Sequence, residues 1–391
     1  MVITELELHN FRNYKSLNLE LSKSINVIYG KNGYGKTNLL EAMFLCCIGK
    51  SFRAAKDPEM IGYGGESFSV KTGISENSCS SIRVTYNRAK SKFVEIDGVY
   101  VEKLRYLFGN LLGIVFSPES IRTVTDGPDF RRRFLNIYIC QLSRDYYYSL
   151  MMYNKFCEEK NKILIERSRP DPIEFEVLNE NIASYGAKIA YDRMRFVDEV
   201  NKTAARIYRY ITDDTEDLTV GYVPNIPSLL DEIRKTSGET EDAGNAVQPP
   251  EDEKRAEIER IKGVFFADLT SERLVKREFE YGRSVIGTQK DDLDISFNGM
   301  NLRSFGSQGQ KRSAAIALTL AVLEIMKKST GRTPVLFLDD VLSELDDRRQ
   351  RNIAELTKEY QTCYTCAKSD IMRNIGADGT PVNYINVEKL R

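Results

Sequence analysis

Ten residues, Tyr29-Gly-Lys-Asn-Gly-Tyr-Gly-Lys-Thr-Asn38, constrain the fold of this chain more than any other stretch. Gly30, four further residues and Gly35-Lys36-Thr37 satisfy the phosphate-loop spacing. The flanks give that spacing its meaning. Ile25-Asn-Val-Ile28 reads as a short buried strand, and Leu39, Leu40, Met43, Phe44 and Cys47 recur at three- and four-residue intervals, as on a helix. A strand, a glycine loop and a helix in that order aim free backbone N–H groups and the positive end of the helix dipole at one anion. Lys36 adds a point charge and Thr37 a ligand for magnesium. The expectation is a nucleotide-binding α/β domain.

A second stretch supplies what such a site needs. In Pro334-Val-Leu-Phe-Leu-Asp-Asp340 four apolar residues end in two aspartates, the pattern of a buried parallel strand with carboxylates at its C-terminal edge, where α/β sheets bind ligands. Asp339 is then placed to hold magnesium, directly or through water, and Asp340 to orient or deprotonate an attacking water. Without the phosphate loop, the same residues would read as a core strand with ordinary capping acids.

Between these two halves the texture changes twice. Residues 66 to 116 read as short strands with turns, including Ile82-Arg-Val-Thr-Tyr86 and Leu112-Gly-Ile-Val-Phe116, and predict a second, antiparallel sheet. After the helix-start signal Asp126-Gly127-Pro128, helical periodicity runs through Phe134, Ile137, Tyr138, Leu142, Leu150 and Met151. It resumes beyond Pro172 through Leu178, Ile182, Tyr185, Ile189, Phe196 and Val200. Two helices of roughly 35 to 40 residues, about 55 to 60 Å at ~1.5 Å per residue, predict an elongated antiparallel arm. Residues 236 to 256 are poor in apolar side chains, rich in acid and chain breakers, and read as an exposed flexible excursion. Strand character returns at Val285. The predicted organisation is an N-terminal ATPase part (1–120), a helical lobe (121–280) and a C-terminal ATPase part (281–391).

Composition excludes more than it selects. With 56 basic against 57 acidic residues, contact with nucleic acid must come from a local patch. The N-terminus enters charged, alternating sequence at once and no apolar run is long enough to span a membrane, so the expected location is cytoplasmic. The seven cysteines are scattered; Cys363 and Cys366 alone have metal-ligand spacing and lack two further ligands, which favours packing over zinc. A single histidine, His9, removes histidine-centred catalysis. Any chemistry falls to carboxylates, lysine and a metal.

Ser304-Phe-Gly-Ser-Gln-Gly-Gln310 precedes a run rich in Ala, Leu and Ile. Ser307 is a natural helix N-cap, and Gly309 lets backbone approach a neighbour closely. Two readings stand: a capped core helix, or a helix N-terminus that offers Ser307, Gln310 and N–H groups to the terminal phosphate of a nucleotide held by a second copy of the chain.

The Ser-x-Gly-Gln turn resembles the signature motif of ABC-type ATPases, and Ser343-Glu-Leu-Asp346 resembles their D-loop. Together with HNFRNYKSLNLEL (9–21), GKNGYGKTNLLEA (30–42), GKSFRAAKDPEMI (49–61), VFSPES (115–120), RRRFLN (131–136), SQGQKRS (307–313) and LDDVLSELD (338–346), these make the chain resemble the RecF family of bacterial recombination mediators, in order from about residue 3 to residue 350.

The resemblance implies an ABC/SMC-type P-loop ATPase head with an inserted helical lobe. In such heads ATP and magnesium are sandwiched between the phosphate loop of one subunit and the signature helix of another. The implied cis residues are Arg12, Gly30, Asn32, Gly33, Gly35, Lys36, Thr37, Asn38, Asp339 and Asp340, with Arg53 near the nucleotide; the implied trans residues are Ser307, Gly309 and Gln310. The implied activity is slow, DNA-stimulated ATP hydrolysis. It drives a homodimer that clamps double-stranded DNA and single-strand/double-strand junctions and, with RecO and RecR, helps load RecA at gaps.

The chain departs from the family pattern at Gly287-Thr-Gln-Lys-Asp-Asp292, where the family commonly has Gly-Pro-His-Arg-Asp-Asp, and it has no tryptophan. The departure bears on DNA or partner contact near Gln289 and Lys290. Arg131-Arg132-Arg133, in the first turn of a helix where its dipole disfavours cations, calls either for a phosphate or acidic partner or for pairing with acids of the same chain. Against the DNA clamp stand a nucleotide-switched interaction protein without strong DNA binding, a small-molecule kinase, which the long helices fit poorly, and a transporter ATPase.

Overall fold

The computed structural model describes every residue except 54–55, 77, 90, 167–170, 213–215, 237–249, 342–346, 368–379 and 391. The Ser343–Asp346 stretch therefore lies outside the described residues. The chain opens with the hairpin β1 (Val2–Phe11) and β2 (Tyr14–Glu20), then enters β3 (Ile25–Tyr29) and α1 (Lys36–Ile48). β4 (Ser67–Ser75), β5 (Ser81–Asn87), β6 (Ser91–Ile96) and β7 (Val99–Val101) extend the hairpin into an antiparallel sheet ordered β2-β1-β4-β5-β6-β7. Phe68, Val70, Thr72 and Ile74 are buried and alternate with partly exposed neighbours, as a strand covered on one face requires.

β8 (Gly113–Phe116) corrects the expectation that residues 66 to 116 build one antiparallel sheet. All four of its residues are buried, and it joins a parallel sheet instead. After the one-turn helix α2 (Arg122–Thr125) come α3 (Pro128–Leu142), α4 (Arg144–Glu166) and α5 (Pro172–Thr212). The first predicted long helix is thus two. Ser143 divides it: its N–H donates to Ile139 O at 2.8 Å, ending α3, and its Oγ accepts from Tyr146 N at 3.1 Å in the first turn of α4. α4 and α5 pack antiparallel: Arg193 Nε donates to Tyr146 OH at 3.0 Å, Phe156 stacks on Tyr185 at 5.8 Å, and the Lys160 ammonium lies 5.2 Å above the Phe175 ring.

β9 (Leu218–Val223), α6 (Pro227–Thr236), α7 (Glu251–Thr270) and α8 (Glu272–Tyr281) follow, then β10 (Asp292–Phe297), β11 (Met300–Asn301) and the short α9 (Leu302–Phe305). Two expectations change here. Residues 251 to 256 are the start of α7, because Glu251, Asp252 and Glu253 occupy a first turn that the helix dipole favours for acids; residues 237 to 249 lie outside the described residues. Strand begins at Asp292 rather than Val285, in β10, which pairs with β9 and β11 in a small antiparallel sheet.

The chain ends with α10 (Gln308–Thr330), β12 (Val335–Asp339), α11 (Asp347–Thr357), β13 (Thr362–Cys366) and β14 (Val382–Asn386). It divides into two compact units: Met1–Thr125, Thr203–Asp217 and Gly306–Arg391 form the first, and Asp126–Lys202 and Leu218–Phe305 the second. The first unit carries a parallel sheet ordered β14-β3-β13-β12-β8. α1 is packed between its two sheets: Cys46 Sγ lies 3.7 Å from Ile82 O of the antiparallel sheet, and Phe44 meets Phe337 of β12 edge-on at 6.1 Å. Gly113 is glycine for space, since a Cβ there would fall 2.5 Å from Cys47 Sγ. Cys363 and Cys366 sit three apart on β13, hence on opposite faces, and both are buried. Among the described residues, no helix is long and apolar enough to cross a membrane.

Candidate nucleotide site

Parallel register brings the two sequence motifs together. β12 pairs with β13 so that Asp339 faces Thr365, and β13 pairs with β3 so that Thr365 faces Ile28, just before the glycine loop. Thr37 Oγ1, at the start of α1, donates to Asp339 Oδ1 at 2.8 Å, and Thr365 Oγ1 donates to the same oxygen at 2.7 Å. Burial pushes the Asp339 carboxyl above its ordinary range; the hydrogen bonds from Thr365 and Thr37 oppose that shift, and so does the charge of Arg53. A carboxylate and a hydroxyl so placed are oxygen ligands suited to a small divalent cation.

The loop is built on glycine at two positions that admit little else. Gly30 has φ +144°, and a Cβ there would lie 2.7 Å from Val387 Cγ2; Gly35 has φ +98°, and its Cβ would strike the Asn13 side chain at 2.6 Å. Asn38 Nδ2 donates to Asn13 Oδ1 at 2.7 Å, which ties the start of α1 to the β1–β2 turn. Lys36 Nζ crosses the loop, donating to Gly30 O at 2.6 Å, Lys31 O at 3.2 Å and Asn32 Oδ1 at 3.1 Å. Gly33 also has a left-handed φ of +83°, with open space where its Cβ would be.

Asp340 adopts φ +52°, a strained value for a residue with a side chain, and its N–H donates to Thr365 Oγ1 at 2.9 Å. It lines a cavity of about 120 Å³ with Phe116, Ser117, Pro118, Ile121, Arg312 and Val341. Arg12 is bound in two-pronged fashion to Glu41, with Nε at 2.9 Å and Nη2 at 2.6 Å, and donates through Nη1 to Glu59 O at 2.8 Å. Arg53 Nη1 donates to Asn38 Oδ1 at 3.2 Å.

Ser307 is the N-cap of α10. Its Oγ accepts from Gln310 N at 3.2 Å while Gln310 Oε1 accepts from Ser307 N at 2.8 Å, a complete capping box. Gln310 Nε2 donates to Glu216 Oε1 at 2.7 Å. Ser307, Gln308 and Gly309 are exposed, so the first turn of α10 opens to solvent.

Sequence reasoning missed Glu41, Thr365, Glu216 and Glu388. Glu388 Oε1 accepts from Lys31 N at 3.1 Å, bracing the loop from the end of the chain. Only Glu41 left a local trace, as an acid one turn past Thr37 within a run that is otherwise apolar. In the second unit, Arg131 binds Asp292 with Nε at 2.5 Å and Nη2 at 3.0 Å, and Arg132 Nη1 donates to Asp291 O at 2.7 Å, so these two arginines pair within the chain. Gln289 accepts from Tyr153 OH and donates to Ile286 O at 2.9 Å.

The model of the RecF/RecN/SMC N terminal domain family matches residues 2–377. A DNA replication and repair protein RecF from Acetivibrio thermocellus is 36% identical over 379 residues, covering 96% of this chain and 95% of the relative. The chain belongs to the RecF family. The RecF of Alkaliphilus oremlandii is 33% identical over 387 residues, covering 99% of each. Among solved structures, the recombination mediator protein RecF with ATP, of the RecFOR pathway, superimposes with a TM-score of 0.81 at 30% identity, covering 94% of this chain and 93% of that one. An Smc head domain with an extended coiled coil, derived from Pyrococcus furiosus, reaches a TM-score of 0.50 at 16% identity over 96% of this chain and 92% of that one, which shows the shared head fold alone. The RecF-family fold is an ABC/SMC-type ATPase head, in agreement with the sequence expectation.

Proposed function

We propose that this RecF-family chain is an ATP-dependent DNA-binding protein of recombinational repair and replication. ATP·Mg, bound between two copies, closes a dimer around duplex DNA or a single-strand/double-strand junction, and slow, DNA-stimulated hydrolysis reopens it. The observation that carries the reading is the 2.8 Å hydrogen bond from Thr37 to Asp339, which unites phosphate loop and acidic strand across 302 positions of sequence. RecF bound to ATP shares this fold over nearly the whole chain.

Each residue has a task that follows from its surroundings. The N–H groups at the start of α1 and the Lys36 ammonium, freed from the loop carbonyls, bind phosphate oxygens. Thr37 and Asp339 would hold magnesium, which when bound would supply charge neutralisation. Asp340, just beyond the strand edge, orients the attacking water. The capped first turn of α10, with Ser307 and Gly309 exposed and Gln310 half-buried at its rim, serves the nucleotide of the second copy. In the cell, RecR with RecO is the expected partner and RecA loading the expected output.

Light scattering with and without ATP·Mg and duplex DNA tests this. Wild type should dimerise with ATP, and Lys36→Ala and Ser307→Ala should not. Tight ATP binding by a chain that stays monomeric even with DNA would remove the clamp and favour a nucleotide-switched interaction protein.

A further inference from the structure

One peptide unit of the phosphate loop is held from both ends. The Gly30 carbonyl accepts from Lys36 Nζ at 2.6 Å, and the N–H of the same peptide, on Lys31, donates to Glu388 Oε1 at 3.1 Å. In a trans peptide these two groups point in opposite directions, so the unit lies between an ammonium and a carboxylate. Glu388 reaches the loop through paired strands. β14 runs beside β3 with Asn386 opposite Tyr29, and Asn386 Oδ1 accepts from Glu388 N at 2.9 Å, capping the short turn Val387–Lys389. Val387 of that turn is fully buried, its Cγ2 2.7 Å from where a Cβ on Gly30 would stand.

We infer that Glu388 is a positioning residue of the nucleotide site, which keeps the Gly30–Lys31 peptide in place when Lys36 leaves it for a phosphate. The two partners fare differently once a nucleotide binds. The Lys36 ammonium rests on Gly30 O, Lys31 O and Asn32 Oδ1, and it gives these up to reach a phosphate oxygen. Glu388 stays, because it sits on a turn anchored by β14 and Val387 rather than on the loop. Gly30 offers little resistance of its own: with φ +144° and no Cβ, it lets the following peptide rotate at small steric cost. Before binding, two charged groups hold that peptide; afterwards, of these two, Glu388 remains. Loss of Glu388 therefore weakens the bound loop more than the empty one, and the difference is read as lost affinity. The side-chain pair of Lys31 Nζ with Glu388 Oε2, at 4.0 Å and open to solvent, adds little to the backbone bond.

This inference rests on the reading of the site as an ATP site, and the test separates the two. Affinities for ADP and for a non-hydrolysable ATP analogue, each with magnesium, are measured by calorimetry on full-length wild type, Glu388→Ala and Glu388→Gln. Urea unfolding and amide hydrogen exchange at Lys31 are followed on the same proteins without nucleotide. Glu388→Ala should bind both nucleotides about fivefold more weakly, the scale of one hydrogen bond open to solvent, since both carry phosphates that the loop holds. Its Lys31 amide should exchange faster, while its unfolding midpoint stays close to that of wild type, because the Glu388 side chain is 35% exposed. Glu388→Gln keeps an acceptor oxygen and should bind within about twofold of wild type. An alanine variant that binds as wild type does, or more tightly, would overturn the inference. So would a glutamine variant as weak as the alanine one, which would make charge rather than position the cause. A Glu388 that merely staples its own turn would show as a lowered unfolding midpoint with both affinities intact. Failure of wild type to bind either nucleotide would instead remove the ATP-site reading itself.

Discussion

The two units bury charge in different ways. In the second, Arg193 and Asp291 are almost wholly excluded from solvent and closed by partners on every side. Arg193 Nη1 donates to Asp291 Oδ2 and to Thr288 O, both at 2.6 Å, and Nη2 to Asn136 Oδ1 at 3.0 Å; Asp291 also accepts from Asn225 N at 2.8 Å and from Tyr222 OH. Lys160 and Glu278 form a second fully buried ion pair, at 2.6 Å. In the first unit, the buried groups Asp339, Lys36 and Glu41 sit beside exchangeable ones: the Lys36 ammonium rests on loop carbonyls, and Arg53 is half in water. A closed set of partners specifies a fold. An open set can be handed to a ligand, and the difference separates scaffold charge from site charge without reference to any motif.

The sharpest way to break that comparison is Asp291→Asn. It leaves the Arg193 guanidinium buried without a counter-charge, so the second unit should lose about 3–5 kcal/mol, read from urea denaturation. A loss under about 1 kcal/mol would mean that the network is relaxed or hydrated, and the distinction between closed and open sets would fall with it. Burial of this pair also accounts for Asp291 and Asp292 in the Gly287–Asp292 stretch: each anchors an arginine of the same unit, Arg193 and Arg131 respectively.

A smaller effect sharpens the comparison from the other side. Ser307 closes its own helix end, yet that end is exposed. Ser307→Ala should therefore cost only about 1 kcal/mol in thermal or chemical unfolding, the ordinary value of an N-cap. Loss of ATP-driven dimerisation alongside so small a change would mark Ser307 as a site residue rather than a scaffold one. A much larger loss of stability would instead make the capping box with Gln310, and the Gln310–Glu216 contact beyond it, the reason for the motif.

What was legible in the sequence was local. The glycine loop reads from its spacing, and the aspartates read from the four apolar residues before them, because both signals lie within a dozen positions. The four residues Gly113–Phe116 are equally apolar in a parallel or an antiparallel sheet, so their pattern could not choose between them; burial on both faces beside β12 decided it. The break at Ser143 left a trace, a serine followed by an acid at Asp145, but unbroken periodicity on both sides concealed it. Contacts such as Ser51 with Glu41, Thr365 with Thr37 through Asp339, and Glu388 with Lys31 join positions 10 to 357 apart, and only the folded chain brings them together. The acids of Glu251–Glu253 read as a solvated run because acid-rich composition is common to exposed loops and to helix N-termini, and only the apolar residues further along α7 tell them apart.

The smallest expected effect comes from an acid in the second unit that is half-buried without being closed. Burial pushes the Asp192 carboxyl up to about 6; Lys254 on α7 opposes the shift and Asp145 on α4 reinforces it. Because the folded-state value lies above that of the unfolded chain, the protonated form is the one the fold favours. Its stabilising contribution is full below about pH 4 and is lost as pH rises through about 6. Asp192→Asn is a permanent mimic of the protonated form. It should match wild type near pH 4 and exceed it by about 0.5 kcal/mol at pH 7.5, the shift being strongly discounted for the residue's partial exposure. The measurement is the difference in denaturation midpoint between the two proteins at each pH, which cancels other titrating groups. If the gap is the same at both, Asp192 keeps its charge throughout, and Lys254 closes the site as fully as Arg193 closes Asp291.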